Sequence, residues 1–319
     1  MRIYGKAALL TLVAASCGAA EDFTIIVLPD TQNYVSYMND GMPETFTAQT
    51  QWIVENREAL NIVFVTHLGD LVARGDSSEA EWLAAEHSMG LLEDPATTGM
   101  NEGIPYGVAL GNHDQSRGED GEWTTIEYNS RFGVDQFADR SYYGGHYGDD
   151  NDNNFELFSA GELDFVIVHL EYAREPTPEV LAWADSVLSA HADRYAFIST
   201  HHMINPGNPG EFGRQGAEIY DALKANPNLF MLLGAHVPRD GGEGRRIDTF
   251  DGNTVHSLIS NYQAYENGGD GWLRIMQFSP DRGSVSVRTY SPTINDGAGG
   301  YLSRNSSEFE LIVDLNRVN

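Results

Sequence analysis

Short runs of β-branched and aromatic residues recur along this chain, and most of them end on a residue able to bind a metal ion or carry a proton. Residues 23–28 stop at Pro29 and predict a buried strand that delivers Asp30 at its C-terminal end. Residues 62–65 repeat the pattern ahead of Asp70. Between them Pro43 suits the first turn of a helix, to which Phe46, Ile53, Val54 and Leu60 give a rough apolar face. Further strands are predicted over 106–110, leading into Gly111-Asn112-His113-Asp114, over 165–168 into His169, over 195–198 into His201, and over 229–233 into Gly234 and His236. A helix fits 178–191, where Val180, Ala184, Val187 and Leu188 share one side at helical spacing. Alternating strands and helices predict an α/β fold. In open sheets of that class, ligands gather beyond the C-terminal ends of the strands.

The C-terminal part changes character. Residues 246–250, 255–259, 273–278, 284–289 and 309–313 all read as strands joined by glycine-rich turns. With no linker and no internal repeat, one folded unit is expected over 22–315. Residues 115–162, rich in Gly, Asn and aromatics, read as a long loop shaping the mouth of a site. Within them the acidic and Asn-rich run 149–154 reads as solvated, since it lacks the glycine spacing of an EF-hand.

Charge narrows the choice of partners. A formal charge of −28 repels phosphate backbones and anionic lipid headgroups, which argues against a nucleic-acid partner. Lys224 is the only lysine after Lys6, so arginine carries nearly all the positive charge, as suits salty surroundings. Residues 1–20 place Arg2 and Lys6 ahead of an apolar run over 7–15, the form of a secretory signal peptide. Two readings stay open, cleavage after Ala20 and lipidation at Cys17, because Ala14-Ala15-Ser16-Cys17 resembles a bacterial lipobox. Either predicts an exported protein, periplasmic, extracellular or lipid-anchored in a bacterium. Cys17 is the only cysteine, so the chain forms no internal disulfide.

An Asp after a strand is often a turn former, and a buried His is often a core residue. Order carries more weight than any single element. Asp30-Thr31-Gln32, Gly69-Asp70, Gly111-Asn112-His113-Asp114, His201-His202 and Ala235-His236 together resemble the calcineurin-like metallophosphoesterase superfamily. The chain also resembles a bacterial exported subgroup whose first motif is Asp-Thr-Gln, with echoes at Leu170-Glu171-Tyr172, Trp183-Ala184, Tyr262-Gln263, Gly271-Trp272-Leu273-Arg274 and Thr289-Tyr290-Ser291-Pro292.

The resemblance implies a four-layer α/β/β/α sandwich of two mixed sheets flanked by helices. It implies one or two divalent metal ions, with Asp70 bridging two positions, Asp30 and Gln32 at the first, and Asn112, His201 and His236 completing the second. Carboxylate, amide and imidazole without thiolate suit manganese, iron or zinc. The implied activity is hydrolysis of a small-molecule phosphate ester, mono- or diester, by water activated between the metals. His113 is implied to protonate or stabilise the leaving group, with Asp114 orienting its ring.

Two positions depart from the superfamily. Gln32 stands where most members have a ligating histidine, and Pro238 stands where the second histidine of Gly-His-x-His belongs. The first metal is therefore expected to be weakly bound, water-rich or absent. This opens a second reading, a catalytically weak surface protein that binds a phosphorylated or carbohydrate ligand on a partly lost site. His67, His169 and His256 are expected to be hydrogen-bonded core residues, and His202 to satisfy the turn after His201. Glu171 and Tyr172 are explained equally by packing and by substrate contact.

Overall fold

All six residues of the strand Phe23–Leu28 are buried, as a strand covered on both faces must be. In this computed structural model, which describes residues 20–118 and 123–315, that strand lies inside a seven-stranded mixed sheet. The leader expected over residues 1–20 falls outside the described residues except for Ala20. Phe23–Leu28 pairs in parallel with Ile62–His67, which pairs in parallel with Tyr106–Val108. On its other side it pairs antiparallel with Leu273–Ser279, which pairs with Ser284–Ser291.

A second seven-stranded sheet faces the first. Its order is Glu243–Phe250, Asn253–Ser260, Leu229–Gly234, Tyr195–Thr200, Leu163–Leu170, Asn154–Ala160 and Tyr143–His146. The four strands from Asn253–Ser260 to Leu163–Leu170 are mutually parallel.

The period of two along each strand divides the core. Phe23, Ile25 and Val27 point one way and pack with Phe64, Phe165, Phe197 and Phe230 between the sheets. Ile26 and Leu28 point the other way, toward Phe46 and Ile53 of the helix Pro43–Asn56 and Trp82 and Met89 of Glu79–Gly90. Val166, Val168 and Ile198 of the second sheet bury under Val180, Ala184, Val187 and Leu188 of the helix Pro178–Ala190, with Ile219 and Leu223 of Arg214–Leu223. Pro178 opens its helix where a missing N–H costs nothing, and Thr177 Oγ1 accepts from Val180 N at 3.3 Å. The result is the expected α/β/β/α sandwich.

The stretch 115–162 differs from its expected form. It holds the helices Ile126–Phe132 and Val134–Phe137 and the strands Tyr143–His146 and Asn154–Ala160, which extend the edge of the second sheet. The run expected to be solvated is largely inside, with Asn151, Asp152, Asn153 and Asn154 all buried. Its amides explain the burial, because they satisfy neighbouring backbone and side chains. Asn151 Nδ2 donates to Phe132 O at 2.8 Å and its Oδ1 accepts from Tyr143 Oη at 2.6 Å, while Asn154 Nδ2 donates to Asn151 O at 2.8 Å.

Candidate metal centre

Parallel pairing aligns the C-terminal ends of neighbouring strands, so the residues that follow them converge. Asp30 and Asp70 follow the adjacent strands Phe23–Leu28 and Ile62–His67, and His201 and His236 follow Tyr195–Thr200 and Leu229–Gly234. The loops close on one another with no room to spare. A Cβ on Gly111 would stand 2.2 Å from both the amide nitrogen and Oδ1 of Asp70. Gly69 has φ +87°, and a Cβ there would meet Ala109 O at 2.8 Å. Asp70 and His236 themselves have φ of 55° and 68°, a left-handed conformation unfavourable for residues with a Cβ and held by the surrounding contacts.

Asp70, His201 and His236 offer ligand atoms that all lie within 4.8 Å of one another. His201 is fully buried, and its Nδ1 donates to Leu68 O at 2.8 Å, which directs Nε2 inward. Nε2 lies 2.9 Å from Asp70 Oδ2 without hydrogen-bond geometry. Asn112 Oδ1 is likewise buried without a hydrogen-bond partner. An inward-facing imidazole nitrogen, a buried amide oxygen and two buried carboxylates form a donor set that fits a divalent cation, whose binding would displace any proton on His201 Nε2.

Protonation in the metal-free chain follows the same logic. Burial and then Asp70 raise the Asp30 carboxyl well above the usual range. Burial works to raise Asp70 too, but His201 and then His113 outweigh it and hold that carboxyl low. Burial disfavours the His201 imidazolium, yet Asp70 and Asp30 push its pKa up to about 9. Burial and the neighbouring His201 and His202 bring His236 down to about 3, leaving its ring neutral and able to ligate.

Asp30 is surrounded by amides. Its Oδ2 accepts from Gln32 Nε2 at 3.0 Å, Gln263 Nε2 at 2.8 Å and Asn261 Nδ2 at 3.5 Å, and its Oδ1 from Gln32 N at 3.2 Å. Gln32 Nε2 also donates to Asp70 Oδ2 at 2.8 Å, so this one side chain touches both carboxylates. Gln263 and Asn261 were not singled out by spacing as site residues, although Tyr262-Gln263 is one of the echoes of the Asp-Thr-Gln subgroup. They come from the segment after Asn253–Ser260, more than 200 residues from Asp30 in sequence.

His113 is exposed at the rim, and its Nδ1 donates to Ala73 O at 2.9 Å. Its amide donates to Asp70 Oδ1 at 2.8 Å. The contact expected from Asp114 is thus made by a backbone carbonyl. Asp114 is instead fully buried and accepts from the amides of Asp70 at 2.9 Å, Gly111 at 2.8 Å and Val72 at 3.2 Å. Burial and then Asp70 push its pKa up to about 7 against those donors. A carboxylate with three backbone donors orders the loops that carry Asp70 and Asn112.

His67 is a core histidine, as expected. Its Nε2 meets Thr31 Oγ1 at 3.1 Å and its Nδ1 accepts from Gly69 N at 3.1 Å, tying the first two motif loops together. His169 is fully buried between Glu156 Oε2 at 2.8 Å and Thr66 Oγ1 at 3.0 Å, and His256 is buried in its strand. The His202 ring lies 4.7 Å from that of His236, tilted by 42°. Tyr172 lies against the site, its ring 5.3 Å from His236 and 6.0 Å from His201, whereas Glu171 accepts from Asn153 Nδ2 at 2.9 Å.

The family described as Calcineurin-like phosphoesterase (Metallophos) matches residues 23–240. A relative from Bacillus subtilis strain 168, "Uncharacterized protein YvnB", is 33% identical over 308 residues, 93% of this chain. The chain spans only 22% of the length of that relative. A dimetal phosphatase from Danio rerio superposes with a TM-score of 0.56 at 12% identity, covering 93% of this chain and 100% of its own. The purple acid phosphatase PPD1 from yellow lupin gives 0.54 at 12% identity, covering 94% of this chain and 55% of its own. At these identities the two structures show a shared fold.

Proposed function

Because this chain belongs to the calcineurin-like phosphoesterase family, we propose that it hydrolyses a small-molecule phosphate ester. One or two divalent cations would be held by Asp30, Gln32, Asp70, Asn112, His201 and His236. The observation that carries this reading is the convergence of Asp70, His201 and His236 within 4.8 Å, with His201 Nε2 and Asn112 Oδ1 buried and unpartnered beside them. Bound divalent cations supply a water of lowered pKa and neutralise charge on phosphoryl oxygens.

The chain's own groups supply the rest. Nδ1 of His113 is committed to Ala73 O, so Nε2 is the nitrogen free to give a proton to the departing oxygen. The His113 backbone amide donates to Asp70 Oδ1 at 2.8 Å, which supports a position beside the reacting centre. Asp114 keeps the Asp70 and Gly111 backbone in place. Tyr172 packs against the His236 and His201 rings and limits their rotation. The charged and apolar pattern of residues 1–20, if it serves as a signal peptide, would put this action outside the cytoplasm.

The test is turnover of p-nitrophenyl phosphate and bis(p-nitrophenyl) phosphate by the purified protein with manganese, iron or zinc, before and after chelation. Activity on either ester that disappears with chelation is expected, and the ratio of the two rates assigns the monoester or diester preference. No turnover of either ester with any of the three metals would count against the proposal.

A further inference from the structure

Gln263 ends in a terminal amide whose nitrogen lies 2.8 Å from Asp30 Oδ2, yet it belongs to none of the ligand motifs that identify the family. Its place is held firmly. The carbonyl of Gln263 accepts from Asn33 Nδ2 at 2.9 Å and Asn39 Nδ2 at 3.2 Å, and its amide donates to Asn261 Oδ1 at 3.2 Å. The preceding Tyr262 is fully buried, with its hydroxyl donating to Glu243 Oε1 at 2.9 Å and accepting from Arg274 at 3.3 Å. Arg274 and Glu243 form a buried ion pair at 2.7 Å. Tyr262, Gln263, Arg274 and Thr289, scattered in sequence, thus form one structure that presents a glutamine to Asp30.

We propose that Gln263, together with Gln32, supplies carbonyl oxygens to a cation held at Asp30, in place of the imidazoles missing at Gln32 and Pro238. The proposal rests on the phosphoesterase reading for the existence of that cation position. The nitrogen and oxygen of a glutamine amide have nearly the same shape, and its last torsion is soft. Each amide here turns its N–H toward the carboxylate. A half-turn brings Oε1 to about where Nε2 stands. Among the described residues no donor holds Oε1 of Gln263 or of Gln32 in its present orientation, so the turn breaks no other hydrogen bond. Asn261 differs, because its Oδ1 already accepts from the Gln263 amide, so it remains a donor to Asp30.

Two consequences follow from the donor atoms. The Asp30 position is all oxygen, from Asp30, Asp70, Gln32 and Gln263, and prefers a hard cation such as manganese or magnesium. The position at Asp70, Asn112, His201 and His236 has two imidazoles and accepts zinc or iron as well. The two positions therefore differ in metal preference.

Equilibrium dialysis against manganese, zinc or both, followed by metal analysis and electron paramagnetic resonance of bound manganese, tests this. The unmodified protein is expected to bind two manganese ions, the weaker one displaced poorly by zinc, with a spin-coupled signal when both are bound. Gln263→Ala should weaken only the weaker ion, by about 10- to 100-fold, comparable with losses seen for groups that tune a metal site. Gln263→His should turn that position toward zinc. Gln263 is half-buried, and unchanged thermal unfolding of each metal-free variant checks that the fold survives. Uptake of no metal by the unmodified protein would overturn the phosphoesterase reading itself. Uptake of one ion, or of two with both affinities unchanged in Gln263→Ala and Gln263→His, would overturn the Gln263 proposal alone.

Discussion

Gly111 and Asp70 touch so closely that a single added carbon on Gly111 would lie 2.2 Å from Asp70 Oδ1. Gly111→Ala should therefore push the Asp70 carboxylate out of position as well as strain the loop. Overpacking of this kind costs about 1–3 kcal/mol. Denaturant unfolding is expected to show a loss in that range, and metal analysis a reduced content. Native metal content in Gly111→Ala would mean that the two loops are less tightly coupled than their geometry indicates.

His113→Ala should leave metal content unchanged, because no ligand position is assigned to its ring. Turnover should fall by about 100- to 10,000-fold for an alkyl ester, the usual range for general acid catalysis. The fall should be smaller for a p-nitrophenyl ester, whose leaving group needs little protonation. Parallel kinetics on the two esters decide it, and equal losses would remove His113 from the leaving-group role.

The buried pair Arg274–Glu243 ties together the strands Leu273–Ser279 and Glu243–Phe250, which belong to different sheets. Arg274→Met strands a buried carboxylate and should cost about 3–5 kcal/mol, read from denaturant midpoints. Glu243 also sets a pH dependence. Burial works to raise its carboxyl, but Arg274 and the hydroxyls of Ser307, Thr289 and Tyr262 outweigh it and lower its pKa. Its folded pKa lies below its unfolded value, so its contribution is present in full above the ordinary carboxylate range and is lost as pH falls through the lowered value. The stability difference between the unmodified protein and Glu243→Gln should be largest near neutrality and shrink toward acid pH. A difference that stays constant down to pH 3 would rule out this coupling.

Much of the architecture was legible because the strands are built from β-branched runs that end abruptly at polar residues. Residues 23–28 coincide with the observed strand, and 178–191 with its helix but for the last residue. Three features were hidden for one physical reason, that burial of a polar side chain depends on partners far away in sequence. Asn151 to Asn154 are inside because Phe132, Tyr143 and Glu171 receive or supply their hydrogen bonds. The helix Glu79–Gly90 has a weak apolar face, and its buried Glu81 accepts from the amides of Ala73 and Arg74 at 2.9 Å each. Gln263 reaches Asp30 only through the Tyr262 anchor, which hydrophobic periodicity does not detect.

In the proposed site Asp70 is the residue shared by both cation positions. The most direct measurement is metal content and turnover of p-nitrophenyl phosphate and bis(p-nitrophenyl) phosphate by Asp70→Ala, alongside the unmodified protein, at saturating manganese. The substitution removes the carboxylate that faces His201 Nε2, Gln32 Nε2 and the His113 amide at once. Loss of bound manganese together with turnover reduced to background is the predicted result. Near-native hydrolysis by Asp70→Ala would contradict the account, because catalysis would then have to occur elsewhere on the protein.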